Sequence, residues 1–398
     1  MMILLMMLLV LSCYKTLSFQ IKSKIISKNR LFKRNMCIDR DLQNMPMDSN
    51  QNNINTSPGR NIDSWRTSSS SSTIIPVDLD KITIRPELIT LDAFGTLIYP
   101  SQSIGRWYRE ALNVQCNMQI RLPRPALFTA AFNKVYSDMS KRYPCFGALE
   151  KNEKIMTSKD WWYQVVDQTY RSTTGISNTI DSNELSLLIP NAFEVLYNDV
   201  FNTKKGWIVK EDAKYTLDRL QLWRDQGDGP KLGIISNFDP RLNNILLELD
   251  LLKYFDDVGD KNLILNSYDT KSEKPSIEMF QNAMLLANVK DPSKCFHVGD
   301  NINKDILGAS NAGWTPMRFN EWFDNDFPDW ESIETIEEAE SGAKNRSILM
   351  QWGRKDIKTG LQWYELWGLD DILTLFGFPE DEEKSIRTTY IRNYRDDY

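Results

Sequence analysis

Residues 88–100, LITLDAFGTLIYP, decide the fold. Leu88–Leu91 is a short, mostly apolar run, too short for a helix and without the alternation of a half-exposed strand. It reads as a strand buried on both faces, as in parallel sheets. The run ends on Asp92, and Gly95 and Thr96 follow, so the chain leaves a buried strand through a polar turn. Four more short apolar runs repeat the pattern: Leu232–Ile235, Leu263–Leu265, Cys295–Val298 and Pro316–Phe319. Helical stretches lie between them. Asp239 suits an N-cap with Pro240 at the first helical position, and Leu242, Ile245, Leu246, Leu249 and Leu252 mark one face. A second helix starts at Pro275 with Ile277, Phe280, Met284 and Ala287. A third carries Ile302, Ile306 and Ala309 and stops at Gly313. Strand–helix alternation implies right-handed crossovers. The expected fold is therefore α/β, a Rossmann-like doubly wound parallel sheet, with its active site at the carboxyl ends of the strands.

Between the first two strands, residues 101–228 carry no strand signal. They read as helices over Ile104–Asn113, Pro125–Lys141, Ser158–Tyr170, Glu184–Phe201 and Lys210–Gln226. This predicts an α-helical cap inserted after strand one, placed as a lid over that strand's end, with a core made of residues 86–100 and 229–320.

Composition narrows the chemistry. The 398 residues include 54 acids, 48 bases and one histidine, His297. An acidic balance argues against a nucleic-acid partner. A single histidine excludes His-rich zinc sites, H-E-x-x-H proteases and facial-triad iron. The five cysteines (13, 37, 116, 145 and 295) form no C-x-x-C, so neither a disulfide framework nor a cysteine zinc site is indicated.

The charge is unevenly spread. Residues 1–38 hold seven bases and no acid, which leaves 41 bases and 54 acids in the rest. Met1–Leu11 is apolar but too short to span a bilayer, so it fits a signal peptide over residues 1–18. A basic transit segment over 19–40 follows. The pair resembles the two-part leader of proteins imported into plastids of secondary origin; the alternative is a plain secretory signal. No membrane span is expected in the mature chain. Residues 41–80, rich in Asn and Ser, read as a disordered linker. Residues 321–378 form an extension with five tryptophans close by (Trp322, Trp330, Trp352, Trp363, Trp367), which either packs across the core or binds a protein partner. An acidic tail occupies 379–398.

Polar residues collect at three strand ends: Asp92; Ser236 and Asn237; and Gly299, Asp300 and Asp305. Lys274 precedes the second helix. In a doubly wound sheet these ends converge, and unpaired buried carboxylates repel one another. A hard divalent cation relieves that repulsion, and Mg²⁺ suits one or two carboxylates with waters and a phosphate. Blander readings stand beside these: Asp92 as a strand-end cap, Asp305 as a first-turn helix acid facing the dipole, and Lys274 as a solvated lysine. His297, inside an apolar strand, reads as structural, Trp161 and Trp162 as packing, and Arg106 and Arg109 as a solvated helix face.

The motifs DAFGTL, SN, KP and GDNINKD, in that order, resemble the four motifs of the haloacid dehalogenase superfamily. WWYQVV (Trp161–Val166), ISNFDPRL (Ile235–Leu242) and HVGDN (His297–Asn301) are similar to the eukaryotic group named haloacid dehalogenase-like hydrolase domain-containing protein 3. The resemblance covers about residues 86–320 and a terminal helix near 366–376. It implies Asp92 as nucleophile, forming an aspartyl intermediate, and Mg²⁺ held by Asp92, Asp300 and the Phe94 carbonyl, with Asp305 as ligand or outer partner. It implies Lys274 as the neutralising cation, Ser236 and the Asn237 N–H on a phosphoryl oxygen, and Thr96 beside the departing group. The substrate implied is a small phosphorylated metabolite. One position departs from the pattern. Family phosphatases carry a second Asp two residues after the nucleophile, as general acid and base; here it is Phe94. Haloacid dehalogenases also lack that Asp, yet they dispense with the metal and usually lack the GD…D pair kept here. Three outcomes follow: a phosphatase that is slow or limited to good leaving groups, a dehalogenase-type hydrolase, and a weakly active or non-catalytic binding domain.

Overall fold

The structure, a computed structural model, describes residues 74–77, 79, 82–116, 120–149, 156–259, 261–320 and 353–378. In chain order the strands are β1 (Ile74–Val77), β2 (Leu88–Leu91), β3 (Ile98–Pro100), β4 (Trp207–Val209), β5 (Lys231–Ser236), β6 (Asp257–Val258), β7 (Lys261–Asn262), β8 (Ile264–Asn266), β9 (Cys295–Gly299), β10 (Thr315–Phe319), β11 (Gly353–Asp356) and β12 (Gln362–Leu366). Eight of them form one sheet in the order β1-β11-β12-β10-β9-β2-β5-β8. The run from β12 to β8 is parallel, whereas β11 is antiparallel to both of its neighbours. This is the expected doubly wound α/β architecture with a mixed edge. β2 is buried at every residue because sheet lies on both sides of it and helices cover both faces.

The α-helices of five residues or more among the described residues are α1 (Ile104–Gln115), α2 (Pro125–Arg142), α3 (Ser158–Ser172), α4 (Ser182–Glu194), α5 (Ala213–Asp225), α6 (Arg241–Glu248), α7 (Ile277–Ala287), α8 (Leu307–Asn311) and α9 (Asp371–Leu375). α4 continues as a π turn through Val200, and α8 is preceded by one over Ile302–Ile306. One face of the sheet packs on α5, α6 and α9 through Leu217, Leu242, Ile245 and Ile372. The other packs on α7 and α8 through Met279, Phe280, Ala283 and Ala309. Helices α1 to α4 bury their own cluster around Tyr108, Phe128, Tyr170 and Phe193, so the insert has a core of its own. No helix among the described residues is long and apolar enough to cross a membrane. Cys116, Cys145 and Cys295 are free and buried.

Several expectations need correction. The insert contains a strand after all: β4 pairs antiparallel with β3, and three residues are too few for periodicity to reveal it. α5 directs Ala213, Leu217 and Leu220 into the sheet's cluster, not the cap's. Ile74–Val77, placed in the linker on the strength of its Ser-rich surroundings, pairs with β11. Residues 353–378 of the extension supply β11, β12 and α9 to the core, with Trp363, Leu366 and Ile372 fully buried. Asp239 does cap the entry to α6, its Oδ1 accepting Arg241 N–H at 3.0 Å, but α6 begins at Arg241 and the same carboxylate also lies in an ion pair described below. The expected leader, most of the linker, residues 321–352 and the acidic tail lie outside the described residues.

Candidate active site

Strand register brings the polar ends together. Leu91 pairs with Val298 on one side and Ile234 on the other, so Asp92, Gly299 and Ile235 emerge at one level. Asp92 N–H donates to the Val298 carbonyl at 2.8 Å, which extends the ladder by one residue and fixes the base of the Asp92 side chain. The turn behind it is held by Gly95 N–H donating to Ile98 O and by Tyr99 Oη donating to Gly95 O at 2.7 Å. Gly95 has φ +87°, and a Cβ there would stand 2.6 Å from Asp300 Oδ2; glycine lets the two strand ends approach.

Asp92, Asp300 and Asp305 converge, each offering a carboxylate oxygen within 4.8 Å of the others. Their surroundings differ. Asp305, 1% exposed, has both oxygens engaged within the protein. Oδ1 lies 2.5 Å from Lys274 Nζ and 3.1 Å from His297 Nε2, and Oδ2 accepts Asn301 N–H at 3.0 Å. Burial alone would raise its pKa, but Lys274 and His297 outweigh burial and hold the carboxyl well below the usual range. Lys274 Nζ also donates to Ile235 O at 2.7 Å and stands 2.9 Å from Asp92 Oδ1, outside hydrogen-bond geometry. Burial opposes its charge, but Asp305 and Asp92 keep its pKa above the ordinary value. Asp300 has no ion-pair partner among the described residues. Burial first, then the neighbouring Asp92 and Asp305 charges, push its pKa up to about 7.

Asn237 fixes the main chain at Lys274: its Oδ1 accepts Lys274 N–H at 2.7 Å and its Nδ2 donates to Lys274 O at 3.0 Å. Ser236 ends β5 and is buried. The Thr96 hydroxyl is buried without a hydrogen-bond partner. Phe94 lies 45% exposed, with its ring edge-on to Trp207 at 6.1 Å. His297 is the structural residue expected. Its Nε2 lies 3.1 Å from Asp305 Oδ1 and its Nδ1 2.8 Å from the Thr90 hydroxyl, and burial lowers its pKa.

The donor set fits a hard cation. Asp305 is already saturated, whereas the oxygens of Asp92 and Asp300 stand free of hydrogen bonds to other residues, and two carboxylates with waters are what Mg²⁺ favours. Arg106 pairs with Glu110 on the surface and Arg109 donates to Pro123 O. Trp161 packs in the cap, its Nε1 donating to Tyr143 O.

Sequence reasoning missed a contact between cap and core. Asp239, fully buried, accepts from Arg241 Nε at 2.9 Å, Arg241 Nη2 at 2.6 Å and Trp162 Nε1 at 2.6 Å. The Arg241 guanidinium lies 4.2 Å from the Tyr197 ring centre and 5.0 Å from that of Trp162, both aromatics coming from the cap. The D-x-R spacing in ISNFDPRL was the available signal.

Comparison with known proteins decides the family. The sequence profile of the haloacid dehalogenase-like hydrolases matches residues 86–313. The chain belongs to that family. It is 29% identical over 240 residues to the Rhythmically expressed gene 2 protein of Drosophila melanogaster, covering 58% of this chain and 81% of that one. It is 31% identical over 223 residues to haloacid dehalogenase-like hydrolase domain-containing protein 3 of Danio rerio, covering 56% and 80%. Among solved structures it is similar to the 2-haloacid dehalogenase of Pseudomonas syringae pv. Tomato DC3000 (TM-score 0.42, 19% identity, 73% of this chain and 97% of that one). The magnesium-bound hydrolase YfnB of Bacillus subtilis gives a TM-score of 0.44 at 16% identity, over 73% and 99%. As a haloacid dehalogenase-like hydrolase, the chain is an enzyme of small-molecule hydrolysis on an α/β core.

Proposed function

We propose that this hydrolase is a Mg²⁺-dependent phosphatase that removes the phosphoryl group of a small metabolite through an aspartyl phosphate on Asp92. The observation that carries the reading is the unequal state of three adjacent carboxylates. Asp305 is locked as an anion by Lys274, His297 and Asn301 N–H, while Asp92 and Asp300 remain available to a cation. A cation site formed by the nucleophile and its neighbour suits a dianionic phosphoryl group better than a carbon–halogen bond.

In this reading Asp92 attacks phosphorus. Lys274, held by Asp305 and the Ile235 carbonyl, neutralises charge beside it. The Ser236 hydroxyl and the Asn237 N–H hold a phosphoryl oxygen, and the partnerless Thr96 hydroxyl supplies a further donor. Mg²⁺, held by Asp92, Asp300 and the Phe94 carbonyl, would supply charge neutralisation at the transferring group.

The test is phosphate release from a broad panel of phosphoesters with and without Mg²⁺, beside Asp92→Asn. Mg²⁺-dependent release that disappears in Asp92→Asn is expected. Halide release from 2-haloacids without Mg²⁺ would replace the phosphatase with a dehalogenase. Silence on both panels would point to a binding domain.

A further inference from the structure

We propose that Arg318 is a positioning residue for the cation site: it holds the main chain of Asp300, and Glu365 of the C-terminal segment holds Arg318. The inference rests on the reading of Asp92 and Asp300 as Mg²⁺ ligands. It extends that reading to β10 and β12, outside residues 86–313 that the family profile matches.

The Asp300 carboxylate has no ion-pair partner among the described residues, so the main chain that carries it sets its place. The peptide bond between Asp300 and Asn301 is gripped at both polar atoms. Asn301 N–H donates to Asp305 Oδ2 at 3.0 Å, and Asp300 O accepts from Arg318 Nε at 3.5 Å. A peptide is planar, and Asp300 Cα lies in that plane. Holding the oxygen and the hydrogen therefore also holds the point from which the carboxylate projects. The Arg318 bond is the longer of the two, beyond the 2.7–3.2 Å usual for N–H···O. Its strength depends on how firmly the guanidinium itself is placed.

Register and charge place it. In the parallel ladder Arg318 pairs with Gly299 on one side and with Glu365 on the other. Its side chain starts level with the residue before Asp300 and beside the Glu365 carboxylate. Glu365 is buried and draws Arg318 Nη1 to 3.2 Å, while Asn320 Nδ2 and Trp363 Nε1 donate to it at 2.8 and 2.6 Å. Asn320 N–H donates to Leu366 O at 2.8 Å, which ties the same two strand ends together. A guanidinium presents its N–H groups in a rigid fork. One arginine thus reaches Glu365 through Nη1 and the Asp300 carbonyl through Nε at once. Groups that orient metal ligands typically cost about 10–100-fold in metal affinity when removed.

The experiment follows thermal melting of the full chain against Mg²⁺ concentration, with phosphate release from a phosphoester panel measured beside it. Arg318→Lys keeps a cation for Glu365 but offers one nitrogen where the arginine uses two. It should melt close to wild type without Mg²⁺ and need about 10–100-fold more Mg²⁺ for the same rise in melting temperature. Its rate of phosphate release should recover as Mg²⁺ is raised. Arg318→Met removes both contacts and should add a lower melting temperature to the same loss of Mg²⁺ affinity. Asn320→Ala takes a donor from Glu365 without touching the Asp300 carbonyl. It should melt lower and keep the Mg²⁺ dependence of wild type, which separates support of the strand ends from positioning of the site. An equal Mg²⁺ dependence in wild type and Arg318→Lys would overturn the inference and leave the cation site standing. A wild type whose melting ignores Mg²⁺ would overturn both. A Mg²⁺ response weakened in Arg318→Lys, with no phosphate released by wild type, would uphold the positioning role and overturn the phosphatase.

Discussion

Asp300 and Asp305 sit in one cluster and are driven in opposite directions, which gives each its own signature in stability. Asp305 has a depressed pKa, so its contribution is present above the ordinary carboxylate value of 3.8 and is lost as pH falls through its lower folded value. Removing one member of a buried ion pair costs about 3–5 kcal/mol. Asp305→Ala is expected to lose stability of that order in urea at neutral pH, with the gap to wild type narrowing in strong acid. Asp300 is the reverse case. Its raised pKa makes the protonated form the stable one, so the associated stability is full below 3.8 and is lost as pH rises through about 7. Metal-free Asp300→Asn should therefore melt above wild type in mild alkali and level with it in acid, and Mg²⁺ should raise the melting temperature of wild type alone. Of these residues the sequence exposed identity and order; DAFGTL and GDNINKD are legible because the chemistry needs carboxylates at strand ends. It did not show which carboxylate is free. That depends on Lys274 reaching Asp305 from the loop before α7 and His297 reaching it from within β9, and on Gly299, where a Cβ would stand 2.2 Å from Asp305 Cγ.

At the scale of elements, the joint between α3 and the turn before α6 is a buried ion pair roofed by two aromatic rings. Trp162→Phe keeps the ring and removes the N–H donated to Asp239. A hydrogen bond to a charged group contributes about 1.5–3 kcal/mol, so a loss in that range is expected. Hydrogen exchange locates the effect: amides of α1 to α4 should exchange faster, while those of α7, packed on the opposite face of the sheet, should not change. Long helices and buried strands were legible because their periodicity runs over many residues. β4 was not, because it exists only through pairing with β3. The placement of α5 was not either, since an amphipathic helix records that it buries a face without recording which core receives it.

For the molecule as a whole, the segment after the 321–352 region is part of the sheet. Glu365, 2% exposed on β12, accepts from Trp363 Nε1 at 2.6 Å, Asn320 Nδ2 at 2.8 Å and Arg318 Nη1 at 3.2 Å. Leu369 N–H donates to Asp212 at 2.6 Å, ahead of α5. Each fully buried large apolar side chain contributes about 1.5–3 kcal/mol. Trp363, Leu366, Leu369, Ile372 and Leu375 together therefore rival the net stability of a typical domain, about 5–15 kcal/mol. A chain ending at residue 320 should lose cooperative thermal unfolding and expose apolar surface to a hydrophobic dye, whereas one ending at 378 should melt as the full chain does. The sequence by itself determined the alternation of strands and helices, the polar strand ends, the aromatic residue in place of the second motif aspartate and the exclusion of histidine chemistry, because each is a local property of composition or spacing. Only the tertiary structure decided that Asp305 is saturated while Asp300 has no ion-pair partner among the described residues, that Asp239 and Arg241 join core to cap, and that the C-terminal segment completes the sheet. Those outcomes are contacts between residues far apart in the chain, and no local pattern encodes the partner.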